Sequence, residues 1–300
     1  MSSYESKWPR WALLLALLAG NIALALGPWS VRLADTGPVS AGFWRLALAF
    51  PFLVLLACAN GEQPFAISPS VRNKVLIAGL AFALDLANWH VGIEMTRLGN
   101  ATLFGNAGSL VLMVWGFLVM RRLPASREWL AIGMALLGAG ILMDSSLAIS
   151  RSTLWGDVFC LIAGLLYGAY LLLLQDARAK IGSWSLLVWT AIAGMPVLLL
   201  IALFLGEPVW PTNWGPLIAL AVLSQLIGQG LLVFSLKHFT PLVIGLVLLT
   251  QPAVAALSGW LAFGETIGPV EIAGMLLLGL ALAMSRGRAL PRRKIGPESR

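Results

Sequence analysis

Ala83-Leu-Asp-Leu-Ala-Asn-Trp-His-Val-Gly-Ile-Glu94 is the stretch on which the reading of this chain turns. It lies inside a long apolar run, Val75 to Met95, yet it carries Asp85, Asn88 and His90. Such a run predicts a membrane-spanning helix, because a span needs about 20 mostly apolar residues. An ionisable side chain at the centre of that helix costs about 2.5–3.5 kcal/mol on insertion scales. Keeping one there implies a polar partner or a water-filled cavity. Asp85, Asn88, Trp89 and Gly92 follow the i, i+3, i+4, i+7 spacing of a single helical face. That face is expected to form one wall of a substrate pathway.

The totals agree with a membrane chain. Three hundred residues that are 59% hydrophobic and 11% charged, with a mean hydropathy of +0.88, do not describe a soluble globular domain. Apolar segments of spanning character fall at 11–33, 40–58, 75–95, 100–120, 128–143, 154–175, 184–205, 215–235, 241–263 and 270–285. The links are short, and several carry Gly or Pro. A net charge of +7 would suggest nucleic acid in a soluble protein. Here the basic residues sit between apolar segments, so topology accounts for them and no nucleic-acid partner is expected. Lys7 and Arg10, with Ala23-Leu24-Ala25 beyond them, imitate a secretory signal, but the further apolar segments favour a retained first span. Cys58 and Cys160 lie in apolar spans, as small hydrophobes at helix interfaces rather than a disulfide or zinc framework.

Charge placement orients the chain. With the N-terminus inside, the inner links and tail hold 16 Lys or Arg. The outer ones hold only Arg32, Arg97 and Arg151, while Arg45 falls within the second span. That bias predicts cytoplasmic termini. The two halves also resemble each other. Gly37, Ser40, Trp44, Pro51, Gly61 and Glu62 fall on Gly182, Ser185, Trp189, Pro196, Gly206 and Glu207 at an offset of 145. Gly133-Met134, Leu136-Leu137-Gly138 and Met143 fall on Gly274-Met275, Leu277-Leu278-Gly279 and Met284 at an offset of 141. Five spans per repeat is an odd number, so the halves insert in opposite orientations, as in transporters with a site near the midplane. The fold expected is all-α and integral to the membrane: ten helices as two inverted five-helix repeats around a central cavity. The repeats cover 1–146 and 147–285, and a basic cytoplasmic tail, 286–300, is expected to be mobile. Gly105, Gly108 and the paired Gly-x4-Gly runs predict close helix packing. Pro51 and Pro196, each inside its span, should kink equivalent helices and make them candidate gates.

This pattern resembles the drug/metabolite transporter superfamily in its ten-helix form with two EamA-type repeats. The residues that carry the resemblance are Thr36-Gly-Pro-Val-Ser-Ala-Gly-Phe-Trp-Arg45, the run Pro241 to Glu265 with Leu249-Thr-Gln-Pro252 and Phe263-Gly-Glu265, and Gly274-Met-Leu-Leu-Leu-Gly279. Within the superfamily the overall run of residues is most similar to the bacterial aromatic amino acid exporters. The resemblance implies an inner-membrane exporter of amino acids whose cavity is lined by helices one, three, four, six, eight and nine. The first repeat departs from the pattern: Arg121-Arg122-Leu123 stands where Phe263-Gly264-Glu265 stands in the second.

Candidate lining residues follow from polarity within the spans. Asn88 and Gln229 are related by the 141 offset, and Gln225 precedes Gln229 by one turn. Buried amides must be satisfied, so they either bond between helices or contact a zwitterion's ammonium and carboxylate. Trp89 and His90 share the third span. His90 is either a packing residue or, beside Asp85, a proton relay whose loss would abolish pH-dependent transport. Tyr167 and Tyr170 lie near the middle of the sixth span, as interfacial anchors or as cavity residues. Asn21, Asn106, Ser109, Trp115, Ser235 and Gln251 complete the set. Arg45 is read as snorkelling to the outer interface, with pairing to Asp35 or gating of anionic substrates as alternatives. An aromatic and amide lining with Asp85 as its charge suits amphipathic, largely neutral solutes.

An enzyme reading lacks a basis: two histidines without metal spacing, no Gly-rich phosphate loop, and Asp85 with His90 as the only acid–base pair. The sequence therefore predicts a transporter without cofactor or metal, expected as a monomer in the lipid bilayer of a bacterial inner membrane. It would export aromatic and other neutral amino acids by alternating access, with protons as a candidate coupling ion. A different metabolite or drug as cargo is the alternative, and an integral-membrane enzyme the remote one.

Overall fold

The computed structural model describes residues 9–96, 98–120, 125–144, 151–178, 180–251, 253–254, 257, 261 and 269–285. Arg97, Arg121–Leu123, Phe263–Glu265 and the tail 286–300 lie outside the described residues. The described residues contain helices and no strand. The helices are α1 (Arg10–Ala25), α2 (Gly27–Leu33), α3 (Pro38–Ala59), α4 (Pro69–Met95), α5 (Leu98–Gly105), α6 (Ala107–Met120) and α7 (Ser126–Asp144). The second half adds α8 (Arg151–Arg178), α9 (Ser183–Phe204), α10 (Gly215–Ala219), a π-helical stretch (Leu220–Gln229), α11 (Gly230–Ser235), α12 (Pro241–Leu248) and α13 (Pro269–Ser285). Six of these segments are long and apolar enough to cross a membrane: Trp11–Leu33, Pro38–Ala59, Pro69–Met95, Leu154–Arg178, Ser183–Phe204 and Gly215–Ser235.

The bundle is apolar outside and holds a set of buried polar groups within an apolar core. Leu15, Phe52, Leu55, Ile77, Leu200 and Phe204 are exposed, whereas Arg45, Asp85, His90, Ser224, Gln225 and Gln229 are buried. Without water in a bilayer core, polar groups must be satisfied inside the protein, which selects this distribution.

Three expected spans are interrupted, each with a physical cause. The first breaks at Leu26, where Pro28 near the start of α2 cannot supply a backbone N–H to continue α1. The fourth breaks at Asn106, whose amide donates to Thr102 O (2.7 Å) and whose own carbonyl accepts from the Ser109 hydroxyl (2.6 Å). The eighth carries the wide π turn at its centre. Pro51 and Pro196 sit inside uninterrupted α3 and α9 on the outer face of the bundle.

Helices from the first half of the chain pack in pairs with helices from the second. α3 packs on α9, α7 on α13 and α6 on α12, while α4 runs along α8 and α1 along the π-helical stretch. α6 and α8 approach through glycine: a Cβ on Gly108 would lie 2.4 Å from Gly164 O and 2.8 Å from Gly168 N. Both obstacles are backbone, so no side chain can yield. Gly108→Leu is expected to cost more than about 3 kcal/mol, the upper range of overpacking, and to abolish a monodisperse, folded species in detergent. A native melting temperature would refute that.

Specific contacts come in matching pairs. Gly61 and Gly206, at φ +71° and +68°, stop α3 and α9 with equivalent turns. Glu62 N–H then bonds Ala57 O, and Glu207 N–H bonds Ala202 O. Each turn aims a glutamate at the start of the other helix. Glu207 accepts from Val39 N (3.2 Å) and Ser40 N (2.8 Å). Glu62 accepts from Ser185 N (2.8 Å) and Ser185 Oγ (2.7 Å). Beside them, Trp44 Nε1 donates to Val209 O and Trp189 Nε1 to Pro64 O, both at 2.6 Å. α3 and α9 are therefore antiparallel and clamp each other at both ends. A second pair of contacts has a different offset. Arg32 donates to Ile93 O and Thr96 O, and Gln175 donates to Leu236 O and Phe239 O, the same 61 and 64 residues away. Equivalent positions near these helix ends are 143 residues apart.

At the α11 end, His238 lies with its ring 5.0 Å from that of Phe234. Burial first, then the charges of Arg178 and Lys237, hold its imidazole below the ordinary range. The folded state thus binds fewer protons than the unfolded one between the two values, and stability falls as pH drops below about 6.5. His238→Gln should gain stability relative to the native protein from pH 7 to about pH 5 and show a constant difference above pH 7. A pH-independent difference in melting temperature would contradict this.

Candidate functional site

One cavity draws on distant parts of the chain. Counting the space at its mouth, it encloses about 490 Å³. α4 supplies Phe82, Asp85, Leu86 and Trp89. Thr102, Gly105 and Asn106 come from the break between α5 and α6, Tyr167 from α8, Arg45 from α3 and Leu24 from α1. Ser224 and Gln229 of the π-helical stretch and Gln251 close it.

The lining has two chemistries. Trp89, Phe82 and Tyr167 provide aromatic surface, with Phe82 and Tyr167 ring centroids 6.4 Å apart. Thr102, Asn106, Ser224, Gln229 and Gln251 provide hydrogen-bonding groups. Gln229 Nε2 donates to Tyr167 OH at 3.1 Å, while its Oε1 makes no bond to another described residue. The close approach of α2 also shapes this wall: a Cβ on Gly27 would lie 2.7 Å from Ser224 Oγ.

Arg45 and Asp85 bring opposite charges to the same wall. Arg45 is 2% exposed and Asp85 7%. Arg45 Nε donates to Gln225 Oε1 at 3.1 Å, and its guanidinium lies 5.6 Å from the Phe82 ring centre. The interfacial, snorkelling position expected for Arg45 is thus corrected. It points into the bundle, where Gln225 and Phe82 hold it. Nor does it pair with Asp35, which accepts from Thr212 N (2.9 Å), Asn213 N (3.0 Å) and the Thr212 hydroxyl. Those bonds hold the Asp35 carboxyl below its usual range.

Of the residues singled out in the sequence, Asp85, Trp89, Asn106, Tyr167, Gln229 and Gln251 meet in the cavity. The others lie elsewhere. Asn88 turns back onto its own helix, donating to Leu84 O at 2.7 Å. His90 is fully buried with Nδ1 2.7 Å from Pro38 O, away from the lining, so it does not form a cavity-facing relay with Asp85. Asn21 donates to Thr250 Oγ1 at 2.8 Å. Tyr170 stacks on Phe82 behind the wall, with centroids 4.5 Å apart. Trp115 is 47% exposed on the outside of the bundle. Ser235 returns its hydroxyl to Leu231 O (2.7 Å), and Gln225 serves Arg45.

Two positions before Asn88, Leu86 lines the cavity. A π turn takes more than four residues, so Ser224 and Gln229, five apart, both reach the cavity while Gln225 turns behind. Arg45, Phe82, Thr102 and Ser224 were not singled out as lining. Arg45 alone carried a signal, an unneutralised charge inside a span. Asn88→Ala is accordingly expected to alter transport less than twofold, and Gln229→Leu to reduce it about tenfold, the effect of stranding one hydrogen-bonded group. Equal losses in the two variants would contradict the observed lining.

An all-helical bundle with an apolar exterior and its polar groups gathered about an internal cavity defines a membrane protein built to pass small molecules. Residues 154–286 match the EamA-like transporter family. That domain and the relatives below support membership of the drug/metabolite transporter superfamily. It is 26% identical over 289 residues to the threonine/homoserine exporter RhtA of Escherichia coli strain K12, across 96% of this chain and 95% of that protein. A protein of Archaeoglobus fulgidus described as an uncharacterized transporter is 24% identical, covering 87% of this chain and 93% of its own. A solved crystal structure aligns with a TM-score of 0.76 over 92% of this chain and 95% of its own at 13% identity, a likeness of fold alone.

Proposed function

We propose that this protein exports neutral amino acids, aromatic ones among them, by alternating access across a bacterial inner membrane. The observation that carries the proposal is the cavity: two charged groups and several hydrogen-bonding side chains face one space inside an otherwise apolar bundle. Ionisable groups at such depth are expensive and mark substrate paths. The threonine/homoserine export named for a relative supports an amino-acid cargo. Trp89 and Tyr167 suit an aromatic side chain, and Thr102 and Asn106 a hydroxylated one.

The equivalent clamps at Glu62 and Glu207, and the equivalent caps at Arg32 and Gln175, support two inverted five-helix repeats over 1–146 and 147–285, ten spans in all. Such halves can open one cavity to either side in turn. The distribution of basic residues supports cytoplasmic termini. One chain encloses the lining, so the monomer is the working unit.

The test is counterflow of labelled threonine and phenylalanine in proteoliposomes holding the full chain, with and without a pH gradient. Saturable, trans-stimulated exchange supports the proposal, and dependence on the gradient identifies protons as the coupling ion. Exchange confined to some other metabolite, or none with any amino acid, overturns it.

A further inference from the structure

We infer that Arg45 and Asp85 form a two-ended clamp for the α-amino-acid head group, Arg45 taking the carboxylate and Asp85 the ammonium. The inference deepens the proposed function and rests on it. Both side chains line the cavity, and both are more than nine-tenths buried. Among the described residues they form no ion pair with each other within 4.0 Å, and Asp85 makes no hydrogen bond. Arg45 makes one, from Nε to Gln225 Oε1. That bond and the Phe82 ring orient the guanidinium while its terminal donors remain for a ligand.

The chemistry selects a zwitterion. Guanidinium binds a planar carboxylate through paired donors, and a carboxylate accepts from an ammonium, each contact strengthened by charge in a low-dielectric site. Together the two groups leave the empty wall neutral, and a zwitterion leaves the filled wall neutral. A cation would face Arg45, and an anion would face Asp85, each with like charge. Opposite charges on one cavity wall therefore reject amines and acids while admitting the molecule that carries both. The side chain then extends along Trp89, Thr102 and Asn106, a wall mixed enough to pass aromatic and hydroxylated residues alike. Gln225 is a positioning residue for Arg45.

The experiment is competition against labelled threonine or phenylalanine counterflow in proteoliposomes. The competitors are each amino acid and its one-charge analogues: isopropanolamine and β-hydroxybutyrate for threonine, phenethylamine and hydrocinnamate for phenylalanine. With the native protein each analogue should compete at least about tenfold less well than its parent, the loss of one charge-assisted contact. In Arg45→Gln the amine should compete as well as the amino acid. In Asp85→Asn the acid should do so. The native-protein arm decides by itself if either variant fails to fold. Counterflow in which the analogues match their parents overturns the clamp and leaves amino-acid transport standing. Variants that weaken every competitor equally overturn it too. Absence of counterflow with any amino acid overturns both.

Discussion

Arg45→Ala is expected to destabilise the protein by about 1–3 kcal/mol, the cost of leaving a buried hydrogen-bonding partner unsatisfied. The guanidinium is 2% exposed, and its loss strands two groups. Asp85 becomes a buried carboxylate without a compensating charge, and Gln225 Oε1 loses its donor. Asp85→Asn removes the opposite charge but keeps the shape. The double variant Arg45→Ala/Asp85→Asn should therefore recover about 1–3 kcal/mol relative to the sum of the single losses. Thermal denaturation in detergent, run as a double-mutant cycle, measures this. Strict additivity would mean that the two charges do not sense each other across the cavity. Arg45→Met is the useful comparison, since it retains most of the side chain's packing on Phe82 and isolates the charge.

The second large effect belongs to the glutamate clamps. Glu207→Ala and Glu62→Ala should each cost about 2–3 kcal/mol, because each removes two charge-assisted bonds at a helix start, where a carboxylate also meets the positive end of the dipole. Glutamine at either position should lose about half as much, since it can still accept but carries no charge. The clamps sit at opposite ends of α3, a helix about 33 Å long at 1.5 Å per residue, so the two losses should add in the double variant. Melting temperatures of the four proteins provide the check, and a double variant no worse than either single one would show that the ends are not independent. Gly37 and Gly182 belong to the same devices. A Cβ at either would fall 2.3 Å or less from the facing glutamate's carboxylate group, which must swing aside. Alanine at these glycines should thus reproduce a fraction of the glutamate loss.

The clamps were legible in the sequence because they are built from residue types that stand out in an apolar chain. Gly37, Ser40, Trp44, Gly61 and Glu62 matched Gly182, Ser185, Trp189, Gly206 and Glu207 before any contact was known. Their partners in space proved to be one another. The third and eighth helices were harder. At the 143-residue spacing they match only at Ala78 and Ala221 and at Leu80 and Leu223, letters that recur by chance, and the caps near their ends are Arg32 in one half and Gln175 in the other. Unlike side chains performing one task leave no repeated letter.

Local chemistry alone determined that this chain lies in a membrane, that it is helical, and that Asp85, Trp89 and Gln229 belong to its interior. Hydropathy and the expense of polar groups in hydrocarbon act through each segment separately, so a single sequence carries them. Only the tertiary structure decided which way Arg45 points, that Asn88 and His90 are spent on backbone carbonyls, and that Ser224 replaces Gln225 at the wall. Those outcomes depend on a partner such as Gln225, 180 residues from Arg45, and on a π turn that shifts the face of a helix by one residue. Such facts arise where helices meet.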